Sequence, residues 1–226
     1  MRPTRSSMDH LVTDPTGYAW RAIFDPPVNL YLWPRPARFS SMLEAWIAEA
    51  PVNAQLHIDD SGDARRGLAA MLAHWPGVEN ADCADWIADM AMLTERYRAL
   101  ANRVPVCLRL QTIDDEDGTL FHVDHHTVRL VCTYAGPGIQ WLPDGVVARD
   151  QLGLRGRNVT AANSAIGPVA AIQDIPPGTV ALLRGEGEPG REGRGIVHRY
   201  SAVRARRRRV RLTLEVREHR GVTEQR

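Results

Sequence analysis

The hydrophobic pattern of this 226-residue chain changes period at Pro105, and no other feature constrains the fold more. Before it, apolar residues recur at helical spacing. Ser41 and Glu44 form a capping box ahead of Leu43, Trp46, Ile47 and Ala50. A second helix fits Asp63 to Trp75, and a third fits Ala81 to about Asn102 with Trp86, Ile87, Met90, Met92, Leu93 and Tyr97 as its stripe. Two short strands, 28–33 and 54–58, interrupt this half, and residues 1 to about 25 read as polar and turn-rich. After Pro105 come short apolar runs divided by Gly, Pro and Asp clusters: 106–113, 119–124, 127–135, 139–142, 169–175, 179–184, 195–199 and 208–217. Such a series predicts a sandwich or barrel braced by the preceding helices.

Composition narrows the chemistry. Charged residues at 24% and hydrophobic ones at 44% fit one globular domain. Within it, 1–40 reads as an extension with a short strand, 41–103 as helical, 105–217 as the β region and 218–226 as a polar tail. All 28 basic residues are arginine, which excludes Schiff-base and pyridoxal enzymes and the P-loop lysine. Residues 1–190 hold 16 arginines against 23 acids, and residues 191–226 hold 12 against four, so the positive charge is terminal. Cys83, Cys107 and Cys132 have no metal-type spacing and read as buried thiols. No apolar run reaches the length of a membrane span and the N-terminus lacks a signal-peptide core, so a cytoplasmic location and no membrane partner are expected.

The segment FHVDHHTVRLVCTYAGPGIQW, from Phe121 to Trp141, carries the chemistry. His122 and Asp124 are two apart, so on an extended chain both leave the same face and can grip one ion. Imidazole with carboxylate suits iron(II), manganese or zinc, and a third ligand would complete a facial triad with open positions. His198 in GIVHRY is the best supplier, on a separate strand candidate ahead of an arginine-rich strand. If Val210, Leu212, Leu214 and Val216 face the core, Arg209, Arg211 and Thr213 share the other face, where a guanidinium can hold a co-substrate carboxylate bidentately. Arg209 is the first choice and Arg211 the second.

The ordered set H122-V-D124, His198 and R209-V-R211-L-T213-L resembles the signature of the Fe(II)/2-oxoglutarate dioxygenase superfamily, whose fold is a double-stranded β-helix. More closely, HVDHHTVRLVCTYAGPGIQWLPD with GTVALLRGE and GIVHRYS resembles the bacterial domain-of-unknown-function family 1826, over roughly residues 40 to 217. The resemblance implies an α+β protein with N-terminal helices packed on a C-terminal jelly roll. It implies iron held by His122, Asp124 and His198, and 2-oxoglutarate held by Arg209. The activity implied is hydroxylation of an unidentified small molecule or side chain.

Other readings stay beside this one. His126 shares the parity of His122 and Asp124, and His-x-Asp-x-His would suit a zinc or cupin-like site. His125 points the other way and reads as a pocket residue, while Tyr134, Trp141 and Asn163 read either as pocket lining or simply as packing. His57 reads as structural, His10, His74 and His219 lie in tail or helix-end contexts and carry no signal, and Asn158 spells a glycosylation sequon that a cytoplasmic chain would not use. The arginine run has no aromatic interleaving, which argues against a nucleic-acid partner. The alternative functions are a zinc-binding or metal-handling protein without oxygenase activity, and a non-catalytic jelly-roll module for an anionic partner.

Overall fold

The structure is a computed structural model that describes residues 4–5, 8–59, 63–75, 81–113, 119–201 and 208–216. The DEDG turn at 115–118, residues 202–207 with three of the arginines, and His219 lie outside the described residues. The strands are β1 (Thr4–Arg5), β2 (Leu11–Thr13), β3 (Leu30–Trp33), β4 (Asn53–Ile58), β5 (Val106–Ile113), β6 (Val128–Ala135), β7 (Ile139–Trp141), β8 (Gln173–Ile175), β9 (Val180–Arg184), β10 (His198–Tyr200) and β11 (Arg209–Val216). The helices are α1 (Ser40–Glu49), α2 (Ala64–Leu72), α3 (Ala81–Leu100) and α4 (Val159–Ile166).

Two sheets form. The larger runs β1-β2-β3-β9-β6-β11-β5-β4, antiparallel except where β2 meets β3, and the smaller runs β10-β7-β8. β11 lies between β5 and β6, and its alternation decides the layering. Val210, Leu212 and Leu214 are fully buried with Leu108, Leu110, Leu130 and Leu182 against the helices. Each such side chain contributes on the order of 2 kcal/mol. On the opposite face Leu30, Val131, Ala181 and Leu183 meet Ile139, Trp141 and Ile175 of the smaller sheet. The result is an α+β jelly roll: helices outside a large sheet, with a small sheet closing its other face.

The helical face follows from sequence. α3 places Cys83, Trp86, Ile87, Met90, Leu93 and Tyr97 on its buried stripe. Asp63 caps α2 by accepting from the Arg65 and Arg66 amides at 2.9 and 3.1 Å. The capping box expected at Ser41 is not formed. The N-cap of α1 is Phe39, two residues before Ser41, and Ser40 bonds the Glu44 side chain instead.

Three further elements depart from expectation. The strand over 119–124 reduces to a single bridge at His122, because the chain bends at residues 125–127 to enter β6. The run 169–175 splits into a 3-10 turn after Pro168 and the short β8. Residues 1–40 supply three strands to the edge of the large sheet rather than one. Asn158, the sequon asparagine, caps α4 through the Ala161 amide at 2.9 Å, and α4 had no apolar period long enough to announce it. The three cysteines are buried.

Candidate metal centre

His122 and His198 meet through their backbones. The His122 amide donates to the His198 carbonyl at 2.9 Å and the His198 amide returns the bond at 3.0 Å. The segment before His122 is fixed by Asn163 of α4, whose side chain accepts from the Phe121 amide at 2.8 Å and donates to the Thr119 carbonyl at 3.3 Å. Thr119 in turn accepts from the Tyr200 amide through its hydroxyl at 2.8 Å. Both ends of the site are thus tied to β10.

The Asp124 loop is held from the other side by Gly185-Glu186-Gly187, which follows β9. Amides of this run donate to the carbonyls of Thr127, Asp124 and His126 at 3.2, 2.9 and 3.4 Å. A Cβ at Gly185 would overlap the carbonyl oxygens of Asp124 and His126, and one at Gly187 would overlap that of His125. Only glycine permits so close an approach of two backbones.

Each imidazole has its Nδ1 beside a carbonyl two residues back: His122 at 2.9 Å from Leu120, His198 at 3.2 Å from Ile196. A carbonyl only accepts, so Nδ1 carries the proton and Nε2 presents a lone pair. The two rings lie 4.6 Å apart. Asp124 sits between their tips, with His122 Nε2 at 3.8 Å from Oδ1 and His198 Nε2 at 3.7 Å from Oδ2. All three ligand atoms fall within 4.8 Å of one another. His198 is fully buried, and burial above all pushes its pKa down to about 4, so it is neutral at pH 7. Among the described residues, neither Asp124 Oδ2 nor His198 Nε2, both buried, has a hydrogen-bond partner. Two such acceptors facing each other are costly unless a cation lies between them. The donor set therefore fits a divalent metal.

Behind Asp124 stands a charged network. Arg129 donates to Asp124 Oδ1 at 2.7 Å and to Glu215 Oε2 at 3.0 Å, and Glu215 also meets His126 at 3.0 Å and Arg109. Burial alone would raise the Glu215 pKa, but His126, Arg129 and Arg109 together hold it at about 2. Neither Arg129 nor Glu215 stood out in the sequence. The available signal was a charge inside an apolar strand: Arg129 in VRLV, Glu215 in LTLEV.

The remaining candidates scatter. His125 is exposed and His126 faces Glu215. Arg209 is fully buried and donates to the Pro137 and Ser201 carbonyls, both at 2.6 Å. Arg211 stacks on the Tyr200 ring at 4.0 Å and bonds Gln111 at 2.9 Å, and the buried Thr213 hydroxyl has no hydrogen-bond partner among the described residues. Tyr134 faces the helices, donates to Asp89 at 2.7 Å and lines a cavity with Arg35, Phe39 and Asp89 that none of His122, Asp124 and His198 lines. Trp141 packs between the sheets beside His10, while His57 lies on β4 bonded to Gln55.

The family described as protein of unknown function, DUF1826, matches residues 16–215. No curated protein matches the chain. Among solved structures, it is similar to a dioxygenase for auxin oxidation in rice, at 13% identity over 83% of this chain and 73% of that one, with a TM-score of 0.42. It is similar to dioxygenase for auxin oxidation 1 from Arabidopsis thaliana in complex with 2-oxoglutarate, at 10% identity over 83% and 82% of the two chains, with a TM-score of 0.48. A Pseudomonas putida prolyl-4-hydroxylase aligns at 14% identity over 85% and 94%, with a TM-score of 0.40. Among the described residues, no helix is long and apolar enough to cross a membrane.

Proposed function

The chain belongs to the DUF1826 family, and from that premise we propose that it is a non-haem Fe(II)- and 2-oxoglutarate-dependent oxygenase whose metal is held by His122, Asp124 and His198. The observation that carries this reading is the pair of buried, unpartnered atoms Asp124 Oδ2 and His198 Nε2, 3.7 Å apart, with His122 completing the set. Two imidazoles and one carboxylate gathered on one face leave positions open for other ligands.

With Fe(II) and 2-oxoglutarate bound, the cofactor pair would supply oxidative decarboxylation to succinate coupled to hydroxylation of a C–H bond. The protein's part is to bind and orient. His122 remains 38% exposed in its side chain, which marks the side from which substrate enters, whereas His198 seals the interior. The residues of β11 that face away from the helices run Glu215, Thr213, Arg211, Arg209, starting at the network behind Asp124. Arg211, oriented by its stack on Tyr200, and the Thr213 hydroxyl are assigned to the far carboxylate of 2-oxoglutarate. Arg209 supports them from behind, because its guanidinium is engaged by backbone carbonyls.

The test is anaerobic titration with Fe(II) and 2-oxoglutarate. A weak visible charge-transfer band should develop, and Asp124→Ala should abolish it. Tight Zn(II) binding with no such band would favour a metal-handling protein using the same histidines. If no divalent metal binds and His122→Ala changes nothing, the oxygenase reading fails.

A further inference from the structure

Resting on the reading of His122, Asp124 and His198 as metal ligands, we infer that Arg129 is the positioning residue that makes Asp124 a one-oxygen ligand, and that Glu215 holds Arg129 in that task. A carboxylate can take a metal through one oxygen or both. Here the choice is made by the protein: Arg129 Nη1 occupies Oδ1 at 2.7 Å, while Oδ2 is the buried oxygen without a partner, turned toward His198. Asp124 therefore offers the metal a single atom. Three protein atoms then fill three positions of an octahedron, and three remain. A co-substrate that chelates through two atoms needs two of these, and oxygen needs the third. An aspartate free to close on the metal with both oxygens would remove one.

The fold supplies the rigidity this requires. Arg129 and Glu215 are direct cross-strand partners on β6 and β11, in the middle of the large sheet. Arg129 Nη2 meets Glu215 Oε2 at 3.0 Å, so the guanidinium bridges two carboxylates and points one nitrogen at each. Glu215 has its own supports in Arg109 and His126. The charge also matters. A lone guanidinium beside a dication site would repel the metal, but Glu215, which Arg129 shares with Arg109, offsets part of that charge, and Asp124 keeps much of its attraction for the ion.

The inference is tested with Mn(II) as the probe, counting metal-bound waters by pulsed electron paramagnetic resonance in isotopically labelled water. The wild-type protein should carry three. Arg129→Ala should carry two, as Asp124 closes on the metal with both oxygens, and its affinity for 2-oxoglutarate in the presence of Mn(II) should fall roughly tenfold or more. Arg129→Lys, which returns one donor to Oδ1, should restore the third water. Arg129→Gln keeps the stem, loses the guanidinium, and carries the same expectation as alanine should Arg129→Ala fail to fold. Three waters and unchanged 2-oxoglutarate affinity in the alanine or glutamine variant, with only a lowered melting temperature, would make Arg129 a structural salt bridge and overturn the inference. Failure of the wild-type protein to bind Mn(II) would instead overturn the metal-site reading beneath it.

Discussion

His122 and His198 exchange both of their backbone hydrogen bonds although 76 residues separate them in sequence. The two imidazoles therefore start from one bridged pair of backbone positions, and their separation is set by sheet geometry rather than by side-chain choice. Asp124, on the loop just beyond, completes the group, and the Gly185-Glu186-Gly187 run holds that loop in place. A site assembled this way is preorganised, because both Nδ1 atoms are already tied to carbonyls before any ion arrives.

Metal should therefore stabilise the fold as a whole. At a free Mn(II) or Zn(II) concentration a hundredfold above Kd, linkage gives about 2.7 kcal/mol. For a domain of this size that is a rise in Tm of about 5–10 °C. Differential scanning calorimetry with and without metal, reversed by a chelator, measures it. His198→Ala and Asp124→Ala should lose the rise entirely, and a rise that persisted in both would place the ion elsewhere.

Gly185→Ala should damage the site without touching a ligand. Its new Cβ meets two backbone carbonyls of the Asp124 loop, which cannot swing aside as a flexible side chain would. Overpacking of this kind costs about 1–3 kcal/mol, and metal affinity should fall with it. Gly145→Ala is the matched control, since nothing lies within 4 Å of its Cβ and its φ is not positive. Denaturation midpoints and metal titrations of the two variants should separate clearly; equal behaviour would mean the loop is not held by the glycine contact.

These two variants also mark where sequence reading succeeded and stopped. Strands such as β5 and β11 were legible because their burial alternates or runs unbroken between turn residues. His122, Asp124 and His198 were legible as a group because His-x-Asp and the later GIVHRY stand out chemically. The Gly185 clasp was not, because a glycine between two backbones leaves no periodic trace. Arg129 and Glu215 were hidden for a related reason: each is one charged residue in an apolar strand, and its partner is fixed by strand register, which local sequence does not encode. The first 40 residues misled because β2 is only three residues long and joins the sheet through β3.

Acid should weaken the fold partly through Glu215. Its pKa is held at about 2, below the ordinary 4.5, although burial opposes this, because His126, Arg129 and Arg109 favour the ionised form. A depressed folded-state pKa means that the unfolded chain takes up the proton first. The contribution is fully present above about pH 5 and is lost as pH falls toward 2. Urea midpoints of wild type and Glu215→Gln should differ most near pH 6 and converge toward pH 2. Parallel curves across that range would show that Glu215 gains nothing from its neighbours.

Asp89 should govern stability and leave the metal site alone. Its carboxylate accepts two bonds from Arg35, at 2.6 and 3.1 Å, and one from the Tyr134 hydroxyl at 2.7 Å, on the helical side of the large sheet. Asp89→Ala leaves a mostly buried guanidinium and a buried phenol without their acceptor, which should cost about 3 kcal/mol. Tyr134→Phe removes one bond and should cost about 1 kcal/mol. Metal affinity measured by calorimetry should match wild type in both, because the sheet lies between this cluster and Asp124.

The two arginines at the start of β11 should behave differently despite sharing a face. Arg209 is fully buried and joins the loop after β6 to the end of β10 through the Pro137 and Ser201 carbonyls. Arg209→Ala strands those carbonyls and should lower Tm by several degrees, with 2-oxoglutarate affinity falling only as the fold loosens. Arg211 is half-buried, stacked on Tyr200 and adjacent in its column to the unpartnered Thr213 hydroxyl. Arg211→Ala should leave Fe(II) affinity near wild type while weakening 2-oxoglutarate binding about tenfold or more, since a bidentate charged contact is worth about 1.5–3 kcal/mol. Arg211→Lys should recover only part of the loss, because an ammonium cannot present two parallel donors. If Arg209→Ala, still folded, is the variant that loses 2-oxoglutarate while Arg211→Ala retains it, the carboxylate assignment moves two residues along the strand and the metal site stands unchanged.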